Sequence, residues 1–390
     1  MRTANQKLLD SLIRHQIHLV QYSEGVSASA LRLLRETETD LERIILSYAT
    51  RLNNRPLETK LNRRRLRNME SEVRELRGGA WKQINQRLRS ELSDLTSVEA
   101  GFYSSVLIDS IPAKVDIKKP DTAKIKQQVL SAPVQGKILR DWLASLMVAD
   151  VTRIVDQMKT SLVDLTLTTP EDVTRQVIGT NSQNRRDGAA RKSWPGATGL
   201  FATMVTRTTS AAQTAVVNEN TFFVNREYYT AVIDSRTTPI CMNYDGRIFE
   251  VNKGPYPPLH FRCRSLRVPY IIPGSVANRP FNNAVESTIV AEYAADNNLG
   301  RITNRDNLPF GTKTNYEQFA RRRRRAFIGQ IPDRTSYAEW LKTQSVAFQN
   351  EVLGVRRGQL FRKSGLPLSK FINRRGNFLT LEQLAEKGIE

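Results

Sequence analysis

Apolar residues recur every three or four positions along the first third of the chain. Leu9, Ile13, Ile17 and Val20 predict one amphipathic helix, and Leu34, Leu41, Ile45, Tyr48 and Leu52 predict a second. A longer run of Leu66, Met69, Val73, Leu76, Ala80, Ile84, Leu88, Leu92 and Leu95 predicts a third, with Arg and Glu crowding its outer face. Gly78-Gly79 is the place where that helix would kink, because paired glycines remove side-chain support from a helix interior. Such helices read as a bundle or short coiled coil rather than as a chemical site. Residues 110–122, with Pro112 and Pro120, lack periodicity and predict a connector.

Helical spacing returns in Ile138, Trp142, Leu146, Val151, Ile154, Met158 and Leu162, and Thr169-Pro170-Glu171 has the form of an N-cap followed by proline in the first turn. Residues 181–194 turn to Asn, Arg, Gly and Lys and predict an exposed, mobile basic loop. One helix is expected within 200–220, where Met204, Ala211, Ala215 and Val216 share a face. The character then changes. Residues 228–233 are aromatic and β-branched, Asp245-Gly246 marks a turn into a strand at 247–251, and 266–270 supplies a third short strand that Pro269 confines to an edge. Helices are predicted again at 283–298, 316–327 and 336–352, while 358–390 mixes Gly, Pro and basic residues and is expected to order only against a partner.

The fold class is therefore α+β: a mostly α-helical chain with a small central antiparallel β module. Its expected divisions are a helical bundle or coiled coil at 1–112, a helical region with a basic loop at 123–199, the α+β module at 200–275 and a basic helical region at 276–390. With 39% hydrophobic and 25% charged residues the composition is globular, which excludes wholesale disorder and fibrous repeats. Apolar runs fall short of a membrane-spanning helix and the first residues lack the apolar core of a signal peptide, so a soluble protein made in the cytoplasm is expected.

Charge changes the picture more. The net charge of +20 favours a polyanionic neighbour, and residues 301–390 hold 18 basic against 8 acidic residues, half of the whole surplus. The densest element is Arg321, Arg322, Arg323, Arg324 and Arg325 between Phe319 and Phe327, which on a helix would wrap charge around most of its circumference. Arg185 and Arg186 with Arg191-Lys192, and Arg63-Arg64-Arg65 with Arg67, are weaker clusters. Non-specific contact with duplex DNA is expected from the five-arginine run and from Arg185 and Arg186.

Both cysteines, Cys241 and Cys263, fall in one short stretch with His260. Two soft thiolates and an imidazole, the last two spaced His-x-x-Cys, are three ligands of zinc type. Asp234 or Asp245 could complete a tetrahedral set. Structural zinc, two reduced thiols packed in a small core, and a Cys241–Cys263 disulfide all stay open at this point. Asp234 and Arg236 read as a turn-holding ion pair.

These residues also carry a resemblance. Asp234-Ser235-Arg236-Thr237 and Cys241, then Asp245-Gly246, then Pro257-Pro258-Leu259-His260, closed by Cys263-Arg264, stand in the order of the signature of the Mu F-like minor head proteins of phages. Thr206-Arg207-Thr208 and Asn218 match the same family upstream, and the resemblance covers roughly residues 138–270. That family often closes with Cys-Arg-Cys, where this chain has Ser265. The resemblance implies a Mu F-like α+β module and a minor head protein in the virion, at the capsid interior or portal vertex. Its partners would be the portal or major capsid protein and packaged double-stranded DNA, with room for several copies per virion and no membrane contact before infection. It would aid head assembly or genome delivery, and no catalytic residue is expected. Two rivals are a metal-dependent nuclease or toxin-like enzyme built on the same module, and a capsid scaffold that ignores DNA. The first is under-supplied, because only His15, His18 and His260 occur and none accompanies His260 in the motif.

Overall fold

The computed structural model describes residues 4–52, 55, 58–111, 115–164, 166–167, 169–179, 188–271, 277–309 and 311–389. The first helix, α1 (Ala4–Glu36), runs far past the expected Val20 and takes in Leu34; α2 (Glu38–Leu52) follows after Thr37. Apolar periodicity missed the join because the middle of α1 buries small and polar residues: Ser23, Val26, Ser27 and Ala30 face the core while Ile17 and Val20 are exposed. Ser23 and Ser27 lose nothing by burial, since their hydroxyls donate to the carbonyls of Val20 and Ser23, each at 2.7 Å. The third helix, α3 (Lys60–Ser110), buries Met69, Val73, Ala80, Ile84, Leu88, Leu92 and Leu95 on one face and runs unbroken through Gly78-Gly79. Next come α4 (Thr122–Ser131), α5 (Leu139–Val163) and α6 (Pro170–Ile178). Thr169 caps α6 in a reciprocal capping box with Asp172. The central helix is α7 (Trp194–Glu219).

The bundle is not closed by its first 112 residues. Leu9 and Leu12 of α1 and Ile84, Leu88 and Leu92 of α3 share one core with Phe201, Met204 and Val216 of α7 and with Tyr228 and Val268 from strands. A second core joins Leu41 and Ile45 to Val73, Ile154, Met158 and Val177. At the junction of α1 and α2, Arg77 is fully buried. Its guanidinium donates to Asp150 at 2.8 and 3.1 Å and also to Leu34 O and Thr37 Oγ1, while Trp81 Nε1 and Ser193 Oγ donate to the same carboxylate. Four helices and the turn between α1 and α2 are thus fixed by one charge pair.

Strands β1 (Arg226–Thr230), β2 (Ile248–Glu250) and β3 (Leu266–Pro269) form an antiparallel sheet in the order β2-β1-β3, with Tyr228 opposite both Ile248 and Val268. Pro269 lies on an edge strand, as its missing N–H requires. A short helix, α8 (Pro239–Tyr244), lies between β1 and β2. A second two-stranded sheet, β4 (Asn278–Asn282) with β5 (Ile328–Pro332), was not expected. Its strands NRPFN and IGQIP are short, hold Pro and Gly, and carry no clean alternation.

Helices α9 (Glu286–Asp296) and α10 (Lys313–Arg325) pack on each other, and the helix expected over 336–352 is two helices, α11 (Tyr337–Lys342) and α12 (Val346–Leu353). Ser345 caps the second, and the buried Gln349 amide donates to Leu341 O across the break. The segment expected to need a partner is instead folded. It contains α13 (Val355–Ser364) and α14 (Leu381–Ala385), and Phe361, Leu368, Phe371, Leu379, Leu384 and Ile389 share a core with Trp340 and Phe348 that also takes in Ile233 and Met242 of the β module. Their spacing follows short turns rather than one period, which hid the core from pattern reading. No helix among the described residues is long and apolar enough to cross a membrane.

Candidate metal centre

Chain turns bring the two thiols and the imidazole together. After β1, Asp234 accepts from the backbone N–H of Arg236 at 3.0 Å, forming a side-chain-closed turn that leads into α8. Pro239 occupies the first turn of that helix, as its fixed φ favours, and Cys241 is carried inward. Gly246 ends the excursion with φ +78°, where a side chain would be strained, and its N–H donates to Tyr229 O at 2.9 Å. The return loop passes through the cis Pro257-Pro258 bond to His260, and a turn in which Cys263 N donates to His260 O at 3.2 Å places both ligands on one bend.

The Cys241 sulfur lies 3.2 Å from His260 Nε2 and 3.8 Å from the Cys263 sulfur, and all three ligand atoms lie within 4.8 Å of one another. The cysteines are free and buried. Thiolates held about 2.3 Å from one tetrahedral zinc stand roughly 3.8 Å apart, so the sulfur separation suits a shared metal. His260 is also oriented for ligation: Nδ1 is 2.8 Å from Phe261 O, which places the proton there and leaves the Nε2 lone pair facing the thiols. Hydrogen bonding from Cys241 holds the Cys263 thiol down to about 6 against the effect of burial, with Ser265 and backbone groups adding to the lowering. The same thiol–thiol hydrogen bond, together with burial, pushes Cys241 up to about 12. Burial disfavours charge on His260, but its contact with Cys241 outweighs this and raises its pKa. The residues present therefore fit a soft divalent cation of zinc type.

Neither carboxylate proposed as a fourth ligand is available. Asp234 is gripped by both guanidinium nitrogens of Arg264, at 2.7 and 2.8 Å, and burial, which alone would raise its pKa, is outweighed by that contact so that the carboxyl is held below its usual value. The expected pair with Arg236 is present, at 3.4 Å from a side chain that is 78% exposed, and the Arg236 backbone N–H closes the turn, while the shorter two-point contact comes from Arg264. Asp245 is buried. It accepts from Arg279 at 2.8 and 2.6 Å and from the N–H groups of Ala231 and Tyr337, both at 2.7 Å, so it joins β1, β4 and α11. Arg264 was legible in the motif as the residue after Cys263. Arg279 lies outside the motif, and nothing in the local sequence marks it. Arg267 was missed in the same way: buried, it pairs with Glu227 at 3.3 Å, lies over Phe249 and Tyr256, and donates to the carbonyls of Lys253 and Pro255, fixing the loop that leads to Pro257 and Pro258.

The basic run is divided by the fold. On α10, Arg323 pairs with Glu292 at 2.7 Å and Arg324 with Glu286 at 2.6 Å, both on α9. Arg321, Arg322 and Arg325 are exposed and carry no ion pair among the described residues. Arg185 and Arg186 lie outside the described residues. The remainder of the expected basic loop is packed: Ala189, Ala190 and Ser193 are buried, and Arg191 forms a bidentate pair with Glu38 at 2.8 and 2.7 Å. Comparison with known protein families, curated proteins and solved structures finds no match to this chain.

Proposed function

We propose that this chain is a phage minor head protein that acts by binding. It would associate with the portal or inner capsid in the virion and lie against packaged duplex DNA. The observation that supports this most is that the residues of the Mu F-like signature form one interlocked unit. Asp234 is closed by Arg264, Cys241, His260 and Cys263 converge, and Asp245 ties the unit to Arg279 outside the signature. In this reading the converging triad holds a structural zinc that fixes the unit, and Cys241, His260 and Cys263 are its ligands.

DNA contact is assigned to the outward face of α10, with Arg321, Arg322 and Arg325 meeting phosphates without reading bases. Arg323 and Arg324 hold α10 on α9 instead. The experiment is a salt series of duplex binding with the full chain. The slope of log affinity against log salt changes by about 0.9 per phosphate contact, so Arg321→Gln/Arg322→Gln/Arg325→Gln should flatten it by roughly 2.7. Changing Arg323 and Arg324 should alter it far less. An unchanged slope in the triple variant removes DNA from the proposal, and portal binding measured with the same variant then separates a capsid scaffold from an unrelated role. Metal-dependent cleavage of DNA that is abolished by His260→Ala would overturn the binding class altogether.

A further inference from the structure

We propose that the metal held by Cys241, His260 and Cys263 keeps an exchangeable fourth position, open to a cleft between α1, α7 and the His260 loop, and that this position takes a small anion. The inference rests on the zinc reading of the triad. Tetrahedral zinc needs a fourth donor, and the group brought together among the described residues supplies three. Asp234 and Asp245 are each committed to a guanidinium on both oxygens. Two hydroxyls beside the sulfurs are hydrogen-bonded to the thiols themselves. Tyr229 Oη is 3.3 Å from Cys241 Sγ, and Ser265 hydrogen-bonds Cys263. These groups close the inner side of the triad.

The other side is open. A cleft of about 400 Å³ is walled by His260 and Cys263, with Leu19, Val20 and Glu24 from α1 and Val205 and Thr206 from α7. Of the three arginines on that wall, Arg264 is neutralised by its two-point contact with Asp234, which leaves Arg236 and Arg262 against the carboxylate of Glu24. A zinc ion with two thiolates carries little net charge of its own, so the cationic wall is what favours an anion over a neutral donor. Three protein ligands leave the fourth corner of the tetrahedron to water or to an anion that replaces it, while the metal still ties the Cys241 and His260 segments together.

The test uses the full chain freed of metal and loaded with Co²⁺, which takes the zinc geometry and reports its ligands in visible d–d and thiolate-to-metal bands. One Co²⁺ per chain, lost in Cys241→Ser, is expected, and azide should then shift the d–d bands saturably with one site. Arg236→Gln, a largely exposed side chain, should leave Co²⁺ uptake intact and weaken azide binding about threefold. Uptake with bands that azide does not move means a protein donor fills the fourth corner; this overturns the open position and leaves the zinc reading standing. An azide affinity unchanged in Arg236→Gln overturns entry by the cationic cleft. No stoichiometric uptake of either Co²⁺ or Zn²⁺ overturns the zinc reading and the open position together.

Discussion

Replacing Asp245 with alanine should cost more stability than any change at the exposed surface. The carboxylate serves one guanidinium and two backbone N–H groups at once, and all three are buried with it. Arg279, 2% exposed, would keep only the carbonyls of Ala231 and Thr335 as acceptors. Breaking one side of a buried ion pair costs about 3–5 kcal/mol, and each orphaned buried N–H adds roughly 1 more. The total of about 5–7 kcal/mol is comparable with the whole stability of many domains. Urea unfolding followed by tryptophan fluorescence is a suitable assay, because Trp340 lies in the core that begins one turn beyond the Asp245–Tyr337 contact. Asp245→Asn keeps the volume but turns an amide N–H toward donors, and should lose about 3 kcal/mol. Adding Arg279→Met removes the stranded charge, so the double variant should recover part of the loss, with a coupling of about 2 kcal/mol. A loss below about 1 kcal/mol for Asp245→Ala, or strict additivity in the cycle, would refute the assignment of Asp245 as the joint between the β module and the C-terminal helices.

Asp150→Ala should destabilise by about 3–5 kcal/mol, measured in the same way, because it strands Arg77 at the junction of four helices; Asp40→Ala, whose pair with Arg43 is exposed, should change stability by less than about 0.5 kcal/mol. Arg264→Met should cost most at neutral pH and progressively less below about pH 4. The folded pKa of Asp234 lies below its unfolded value near 3.9, so the pair's contribution is complete above that value and lost as pH falls through the folded pKa; equal losses at pH 7 and pH 3 would contradict this. Native protein should contain about one zinc per chain by elemental analysis, lost in Cys263→Ser. With free zinc at a hundred times Kd, chelation should lower stability by about 2.7 kcal/mol, and a melting temperature indifferent to chelator in zinc-loaded protein would count against a structural role.

What could be read from the sequence, and what could not, follows from how far apart the deciding residues lie. Met69, Val73, Ala80, Ile84, Leu88, Leu92 and Leu95 announce α3 because one helix face is a local property, and all of them are buried. Cys241, His260 and Cys263 could be grouped because the two cysteines are only 22 positions apart and His-x-x-Cys makes its own turn. Local pattern failed where small residues carry the core, as with Ser23, Ser27 and Ala30 of α1, and where the core is gathered from short turns, as around Trp340. It failed again for Asp234 and Asp245. As isolated carboxylates near a thiol pair they are reasonable ligands, and only the fold reveals the guanidiniums that claim them from 30 and 34 positions away.

The same distance effect changes what the arginine run means. Five adjacent guanidiniums suggest five phosphate contacts, but Ile289, Val290 and Tyr293 of α9 pack against Tyr316 and Ala320 of α10, and that packing sets Glu286 and Glu292 beside Arg324 and Arg323. Glu286 also accepts from Tyr316 Oη at 2.5 Å, and although burial opposes its charge, those contacts hold its carboxyl below the usual range, so it is an anion committed to the helix interface. Two arginines are thereby committed to ion pairs with α9, and three remain without one among the described residues. Since each neutralised phosphate contributes about 0.9 to the salt slope, the fold lowers the expected contribution of the run from roughly 4.5 to roughly 2.7. A slope change near the larger value when Arg323→Gln and Arg324→Gln are added to the triple variant would mean that the α9–α10 pairs open when DNA binds. In that event Glu286→Gln, which weakens the internal pair, should tighten DNA binding rather than leave it unchanged.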